Sequence, residues 1–435
     1  MNRPDVLLAT PWHFPTPTVV TLDSGLTVWH FHLPGQHVAT YEVVLPTELT
    51  HESREKEGIA NVTLHSIDEG THTHPDGGIG ELLETQGTTL HGATRYRYTT
   101  FGGQSPSRRL RDVLPLFAEV LMEPAYADRD VAHHIEAQIA GYESRLASPG
   151  AANRIALRAA LYDPEHRDSR PTGGTPETLQ NLTAADAVAW HRAHFSPVGA
   201  TLVIAGAVEL DEVIAGVAGW QAVGDRPTEP RPPSPGQERK VVVVDHPDAV
   251  QATLALAMRT VTRDDPRWPA LRVAGHAVAG AFASRLNLEL RERLGYTYGI
   301  RGGFAPGVDE GQFSVGASVR TEVAGDSIAR TIEALSLKDA LTEQEVDDAK
   351  QFLIGIAPLA NETSADIVNQ GATLAGSGLS PEYINAHFAD LAQVTAEEAT
   401  AAFREVVNPE QLTIAVTGAA AELVPALEGL GLSVS

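Results

Sequence analysis

Asn61, Leu64 and His65 stand at i, i+3 and i+4 of a stretch, G-I-A-N-V-T-L-H-S-I-D-E-G-T (58–71), that reads as a helix. Residues at those intervals share one helical face. Two imidazoles at i and i+4 can grip a zinc ion there, and a carboxylate at i+3 can reach the metal-bound water as general base. Only His65 of such a set is present. Asparagine is a poor zinc ligand, and Leu64 cannot move a proton, a role worth roughly 10²–10⁴ in rate. The face is not expected to run metal-assisted hydrolysis. His65, Asp68, Glu69 and His72 also fall at helical intervals and could form a rebuilt site, but Gly70 should end the helix before His72 joins it.

The same stretch resembles the inverted zinc helix of the M16 family (pitrilysin, insulinase, mitochondrial processing peptidase), whose pattern is G-x-A-H-x-x-E-H followed by G-T. The resemblance puts Asn61 on the first His ligand, Leu64 on the catalytic Glu and His65 on the second His. Gly58, Ala60, Gly70 and Thr71 keep the frame while the reacting groups are lost. The family draws its third ligand from a distant helix with two Glu seven apart, and Glu136 and Glu143 lie at that interval within 128–146, Glu143 on the ligand position. His65 and Glu143 are then a two-ligand remnant, and no metal is expected in this chain. The other reading of His65 is a helix histidine satisfied by a carboxylate, Glu143 among the candidates.

From Ser284 the chain runs S-R-L-N-L-E-L-R-E-R-L-G-Y-T-Y-G, similar to the family's S-R-L followed by L-R-E-K-R-G-x-x-Y. Arg291 and Tyr298 fall on its Arg and Tyr, which the resemblance implies reach across to the substrate from the half opposite the zinc. A guanidinium fork can hold a substrate carbonyl or carboxylate, and a phenol can hydrogen-bond the oxyanion that develops at a scissile carbonyl. On composition alone, Arg291 also reads as a helix arginine paired with Glu289 or Glu292, and Tyr298 as a strand residue packed on its sheet. A further segment, G-T-T-L-H-G-A-T-R-Y-R-Y-T-T-F (87–101), resembles the family's substrate-accepting strand G-x-x-N-A-x-T, with His91-Gly92 near the usual Asn-Ala; it also reads as an ordinary edge strand.

These residues need a scaffold. At 435 residues with 43% hydrophobic composition the chain suits two or more domains. F-S-P-V-G-A-T-L-V-I-A-G-A near 200 and V-N-P-E-Q-L-T-I-A-V-T-G-A near 410 are similar buried strands ending in Gly206 and Gly418, which suggests a duplication. G-D-R-P-T-E-P-R-P-P-S-P-G (224–236) reads as a semi-rigid linker. The expected organisation is 1–223, the linker 224–236, and 237–435. In the first half a hairpin around Asp23-Ser24-Gly25 opens the fold, strands follow at 88–93 and 96–101, and helices at 108–122, 128–145 and 152–161. Thr183 with Asp186 resembles a capping box. The second half should repeat the plan, with strands near 240–245 and 251–258, one helix from 269 through 293, and two strands within 298–319. The expected class is α+β, each half a largely antiparallel sheet with helices on one face.

There is no cysteine, so no disulfide and no thiolate metal site. No apolar run is long enough for a signal peptide or a membrane span, and a cytoplasmic location is expected. The formal charge of -24 disfavours nucleic acid and anionic membranes; it would raise the local concentration of basic partners, or simply confer solubility. The resemblance to the two-subunit bacterial branch of the family implies a non-catalytic, substrate-binding subunit that donates Arg291 and Tyr298 to a zinc-bearing H-x-x-E-H partner. Two other readings stay open: a structural or peptide-binding relative without a hydrolytic partner, comparable to the family-derived core subunits of a respiratory complex, and an independent metallopeptidase with an altered site.

Overall fold

A computed structural model describes residues 12–221 and 237–434. The expected linker, 224–236, lies outside the described residues. Residues 12–221 contribute a six-stranded sheet built from β1 (Thr18–Thr21), β2 (Thr27–His32), β3 (Val38–Leu45), β4 (Thr89–Thr94), β5 (Thr99–Pro106) and β6 (Thr201–Gly206), in the order β1-β2-β6-β3-β5-β4. Residues 237–434 contribute a second sheet from β7 (Lys240–Asp245), β8 (Ala252–Thr260), β9 (Thr297–Ala305), β10 (Gly311–Val319) and β11 (Thr413–Gly418), in the order β7-β11-β8-β10-β9. Apart from β1 the orders superimpose. In each sheet the last strand of the half inserts parallel to an early strand (β6 on β2, β11 on β7) and antiparallel to the next, and all other pairs are antiparallel. The duplicated glycine-ended segments occupy equivalent central places, with Gly206 opposite His32 and Gly418 opposite Asp245.

The opening hairpin forms where Gly25 supplies a positive φ of 85°, letting β1 and β2 pair from Thr21–Thr27 outward. Thr183 and Asp186 cap the helix Ala184–His194 reciprocally. The helices Leu110–Met122, Asp128–Ala147 and Pro149–Leu161 form where the periodicity places them. The single helix expected over 269–293 does not. The helix Trp268–Gly275 widens into a π turn, His276–Gly280, and stops at Ala281, whose ψ of 153° is extended. It restarts at Arg285–Asn287, where the Ser284 hydroxyl accepts from the Asn287 N–H, and continues as a second π segment, Leu288–Arg293. Apolar periodicity carries no sign of such a break, and the one local hint, Gly280 at the end of the π turn, is a weak stop signal inside a helical pattern.

Each sheet carries its own half's helices on one face. The opposite face is covered by a helix from the other half: Ser364–Gly376 lies on β3 and β6, and Pro149–Leu161 lies on β8 and β11. Small residues permit the close approach. A Cβ on Gly371 would come within 2.8 Å of Val203 Cγ1, and Ala257 and Ala415 form the buried floor beneath Leu157 and Leu161. Polar pins set the register, since Asn153 Nδ2 donates to the Thr253 carbonyl and to Thr417 Oγ1, both at 3.1 Å, and Thr40 Oγ1 meets Ser364 Oγ at 3.0 Å. The aromatic core between the halves, with Phe14, Trp29, Phe31 and Tyr98, is therefore shared. Burial of one such ring contributes roughly 1.5–3 kcal/mol.

Candidate functional site

The helix Ile59–His65 begins at Gly58, whose φ of 100° and close approach to the Gly173 carbonyl exclude a side chain. Its first N–H groups are satisfied by a buried carboxylate, Glu52, which accepts from Gly58 N and Ala60 N at 3.1 Å and from Arg167 Nη2 at 2.7 Å. Arg170 and Glu57 pair alongside, with Nη2 2.6 Å from Oε1. These ion pairs anchor the frame by protein groups alone.

The face carrying Asn61, Leu64 and His65 is divided. Leu64 is 2% exposed and closes onto Gly92 of β4, where a Cβ would lie 2.9 Å from Leu64 Cδ1 and 2.8 Å from the Thr100 carbonyl. An aliphatic contact thus fills the position of a general base. Asn61 opens onto a groove, and His65 is exposed and makes no hydrogen bond among the described residues. Its imidazole is held below the ordinary histidine range by the surrounding protein and by the nearby His134. Glu136 and Glu143 are exposed on the helix Asp128–Ala147, and neither is brought into contact with His65. The helix ends at His65, so Asp68, Glu69 and His72 do not continue its face, and Glu69 bonds His134 instead at 2.7 Å. Among the described residues no three His, Asp or Glu converge as a ligand set. With Asn61 in a ligand position and Leu64 packed down, the donor set does not fit a catalytic zinc.

The second motif is assembled by its less conspicuous members. Arg285 forks onto Glu345 at 2.6 and 2.8 Å and onto the carbonyls of Asp339 and Ala340, both at 2.7 Å. Asn287 takes hold of β9, its Nδ2 donating to the Ile300 carbonyl at 2.9 Å and its Oδ1 accepting from Ile300 N at 3.0 Å. Beyond that clamp the pairing slips, with Ala317 opposite Ile300 and Val319 opposite Thr297, so β9 carries one extra residue at Tyr298–Gly299. Such a bulge re-aims a side chain. Tyr298 is 98% exposed and does not pack on the sheet. Arg291 lies over the Phe282 ring, 4.0 Å from its centroid, with Glu292 at 3.5 Å, whereas Glu289 is engaged by Arg293. Phe282 is itself 71% exposed, and the segment Leu288–Arg293 that bears Arg291 packs against β9, which bears Tyr298.

Sequence reasoning missed a groove that begins within the first half and runs into the space between the halves. One part, about 400 Å³, starts at Asn61; a second, about 620 Å³, ends at the β9–β10 turn; Tyr96, Arg158 and Thr172 line both. Arg97 crosses it, forked onto Asp168 at 2.8 and 3.0 Å and bonded to Asp309 from the β9–β10 turn. Arg158 stacks 3.7 Å from the Tyr96 ring centroid. The available signal was the alternation Arg95-Tyr96-Arg97-Tyr98, charged and aromatic in turn, in the segment read as a substrate-accepting strand or an ordinary edge strand. β4 is indeed an edge strand, paired among the described residues only with β5. No helix among the described residues is long and apolar enough to cross a membrane.

Comparison with known proteins agrees with this geometry. The family description "Insulinase (Peptidase family M16)" matches residues 28–164, and "Peptidase M16 inactive domain" matches 181–353. An uncharacterized zinc protease of Mycobacterium bovis is 28% identical over 403 residues, covering 90% of this chain and 91% of that protein. In fold, the chain is similar to a peptidase M16 inactive domain from Pseudomonas fluorescens, with a TM-score of 0.85, 22% identity and coverage of 93% and 98%. It is also similar to a protease from Helicobacter pylori, with a TM-score of 0.84, 18% identity and coverage of 93% and 100%. With both family descriptions placed along one duplicated α+β chain and the degenerate helix lying in the first of them, the chain belongs to the M16 peptidase family.

Proposed function

We propose that this chain is the non-catalytic, substrate-binding subunit of a two-chain M16 zinc peptidase, lending Arg291 and Tyr298 to a partner that carries an intact H-x-x-E-H helix. The observation that carries the reading is the contrast between the two motifs. Leu64 is buried against Gly92 where a base would have to meet water, while Tyr298 is raised clear of its sheet by a bulge that Asn287 holds in place. A phenol so exposed contributes nothing to packing, and its value lies in what it meets from outside. Arg291 is held over Phe282 in a position to grip a carbonyl or carboxylate. In this reading zinc, water activation and proton transfer belong to the partner. Arg291 orients the peptide and Tyr298 donates to the developing oxyanion. The open edge of β4 offers unpaired backbone groups to an extended peptide.

Mixing the chain with a zinc-bearing partner should raise hydrolysis of an unfolded peptide, and Arg291→Ala or Tyr298→Phe should lower that gain by about 10²–10³. Activity within about twofold of wild type after both substitutions would reject the role and favour a scaffold without a hydrolytic partner. The chain alone should show neither stoichiometric zinc nor chelator-sensitive proteolysis.

A further inference from the structure

The groove that runs into the space between the halves has the opposite sign to the chain around it. The sequence carries 32 basic against 56 acidic residues. The groove wall from Asn61 to the β9–β10 turn nevertheless presents Arg95, Arg97, Arg145, Arg154, Arg158 and Arg263, against three carboxylates, Asp168, Asp309 and Glu310. All three carboxylates are engaged. Asp168 and Asp309 hold Arg97, and Glu310 lies 3.3 Å from Arg259. Arg145, Arg154 and Arg263 have no carboxylate within ion-pair distance among the described residues.

The far end of the groove is the most marked. Arg263 lines it beside Tyr98, Thr373 and Ser377, and its Nε is buried without a hydrogen-bond partner. Arg272, on the helix Trp268–Gly275, is near enough for the two guanidinium groups to repel one another, and the phenols beside them, Tyr98 and Tyr383, are kept protonated by burial and bring no negative charge. Two half-buried guanidinium groups with no acidic partner are costly in a folded chain, and a carboxylate removes the cost through charge-assisted, forked hydrogen bonds. Arginine suits this end because its charge persists under burial where a lysine would lose its proton.

We propose that the groove binds an acidic peptide segment, with Arg263 as the carboxylate anchor at the end distant from Asn61 and with Arg145 and Arg154 meeting further acidic groups near Asn61. The proposal rests on the peptide-binding part of the functional reading and names its substrate class, but it needs neither the partner subunit nor Arg291 and Tyr298. The carboxylate is that of an Asp or Glu side chain or of a peptide C-terminus. The net charge of -24 repels such a peptide at long range, so affinity must arise in the groove itself, within about a Debye length of these arginines.

The test is fluorescence anisotropy on the full chain with a labelled, unstructured twelve-residue peptide containing four Glu, its Gln counterpart, and the C-terminal amide of each. The Glu peptide should bind at least 10-fold more tightly than the amidated Gln peptide. Weakening on amidation alone assigns the anchor to the chain terminus, and weakening on Glu-to-Gln exchange alone assigns it to side chains. Arg263→Gln should weaken the Glu peptide by about 10–100-fold and leave the amidated Gln peptide unchanged. If Arg263→Gln does not fold, Arg145→Gln with Arg154→Gln, both at the open end, should give at least a 10-fold loss. Equal binding of all four peptides, or Glu-peptide binding unaffected by either set of substitutions, overturns the proposal. Loss of binding here with partner-dependent hydrolysis intact would reject the groove alone, and the converse would reject the role of Arg291 and Tyr298 alone.

Discussion

Restoring the lost zinc chemistry by Asn61→His and Leu64→Glu should weaken the fold before it rebuilds a site. Leu64 is 2% exposed and packs so closely on Gly92 that a Cβ there would lie 2.9 Å from its Cδ1. Replacing it with Glu forfeits about 1.5–3 kcal/mol of apolar burial and buries a carboxyl group with no donor in reach, a further 1–3 kcal/mol or so. The metal-free double variant should therefore lose about 2.5–6.5 kcal/mol. Burial would also push the new carboxyl pKa upward, so that it stays protonated near neutrality. Asn61→His alone should cost no more than about 0.5 kcal/mol, because Asn61 borders the open groove. Zinc at 100 times its dissociation constant returns only about 2.7 kcal/mol. The expected pattern is a lower denaturation midpoint in chelator, partly recovered in zinc, with zinc affinity regained before any activity. A cost below about 1 kcal/mol for Leu64→Glu in chelator would show that Leu64 is not the packed member of the face. A double variant with no zinc response would show that His65, with Glu143 as third ligand, cannot complete the set.

Three further outcomes follow from the interactions described. Arg97→Ala should lower stability by about 3–5 kcal/mol and admit protease between the halves, since it strips the buried Asp168 of its fork and releases the β9–β10 turn; an unchanged urea midpoint would contradict this. Asn287→Ala should cost about 2–3 kcal/mol, because both backbone groups of Ile300 lose their partner, and should reduce partner-dependent activity through the lost placement of Tyr298; full activity at reduced stability would separate the clamp from the site. His191 and His387 are held down to about 4, each chiefly by burial, His387 also by Arg272 and Arg263. Both are neutral when folded and protonate on unfolding below about 6.5. Stability should then fall by up to about 3 kcal/mol per histidine as pH drops from 6.5 toward 4, and His387→Phe should flatten that slope. An identical slope in the variant would remove His387 from the account.

Much of the architecture could be read from local pattern. The glycine-ended strands at Gly206 and Gly418, the capping box at Thr183 and the long helix bearing Glu136 and Glu143 all depend on short-range signals, and they appear where expected. The degenerate helix was legible for the same reason, since helical spacing alone puts Asn61, Leu64 and His65 on one face. Long-range features were not legible. Nothing local tells that Pro149–Leu161 and Ser364–Gly376 exchange places over each other's sheets, because the apolar periodicity of a helix does not name the surface it covers. The interruption at Ala281 and the bulge at Tyr298 were hidden likewise, the second being imposed by a side chain eleven residues earlier, Asn287, through the backbone of Ile300. The groove arginines were invisible as a set because Arg97, Arg158 and Arg263 meet only after the halves close.

The most direct test of the account is a single-turnover measurement on the chain saturated with a zinc-bearing M16 partner, comparing wild type with Tyr298→Phe and Arg291→Ala. Association with the partner, followed separately by sedimentation, should be unchanged. Tyr298→Phe should lower the chemical step by about 10²–10³ with peptide affinity nearly intact, and Arg291→Ala should weaken affinity and rate together. A chemical step within about twofold of wild type in both variants, with the complex fully formed, would contradict the claim that this chain completes another subunit's active site.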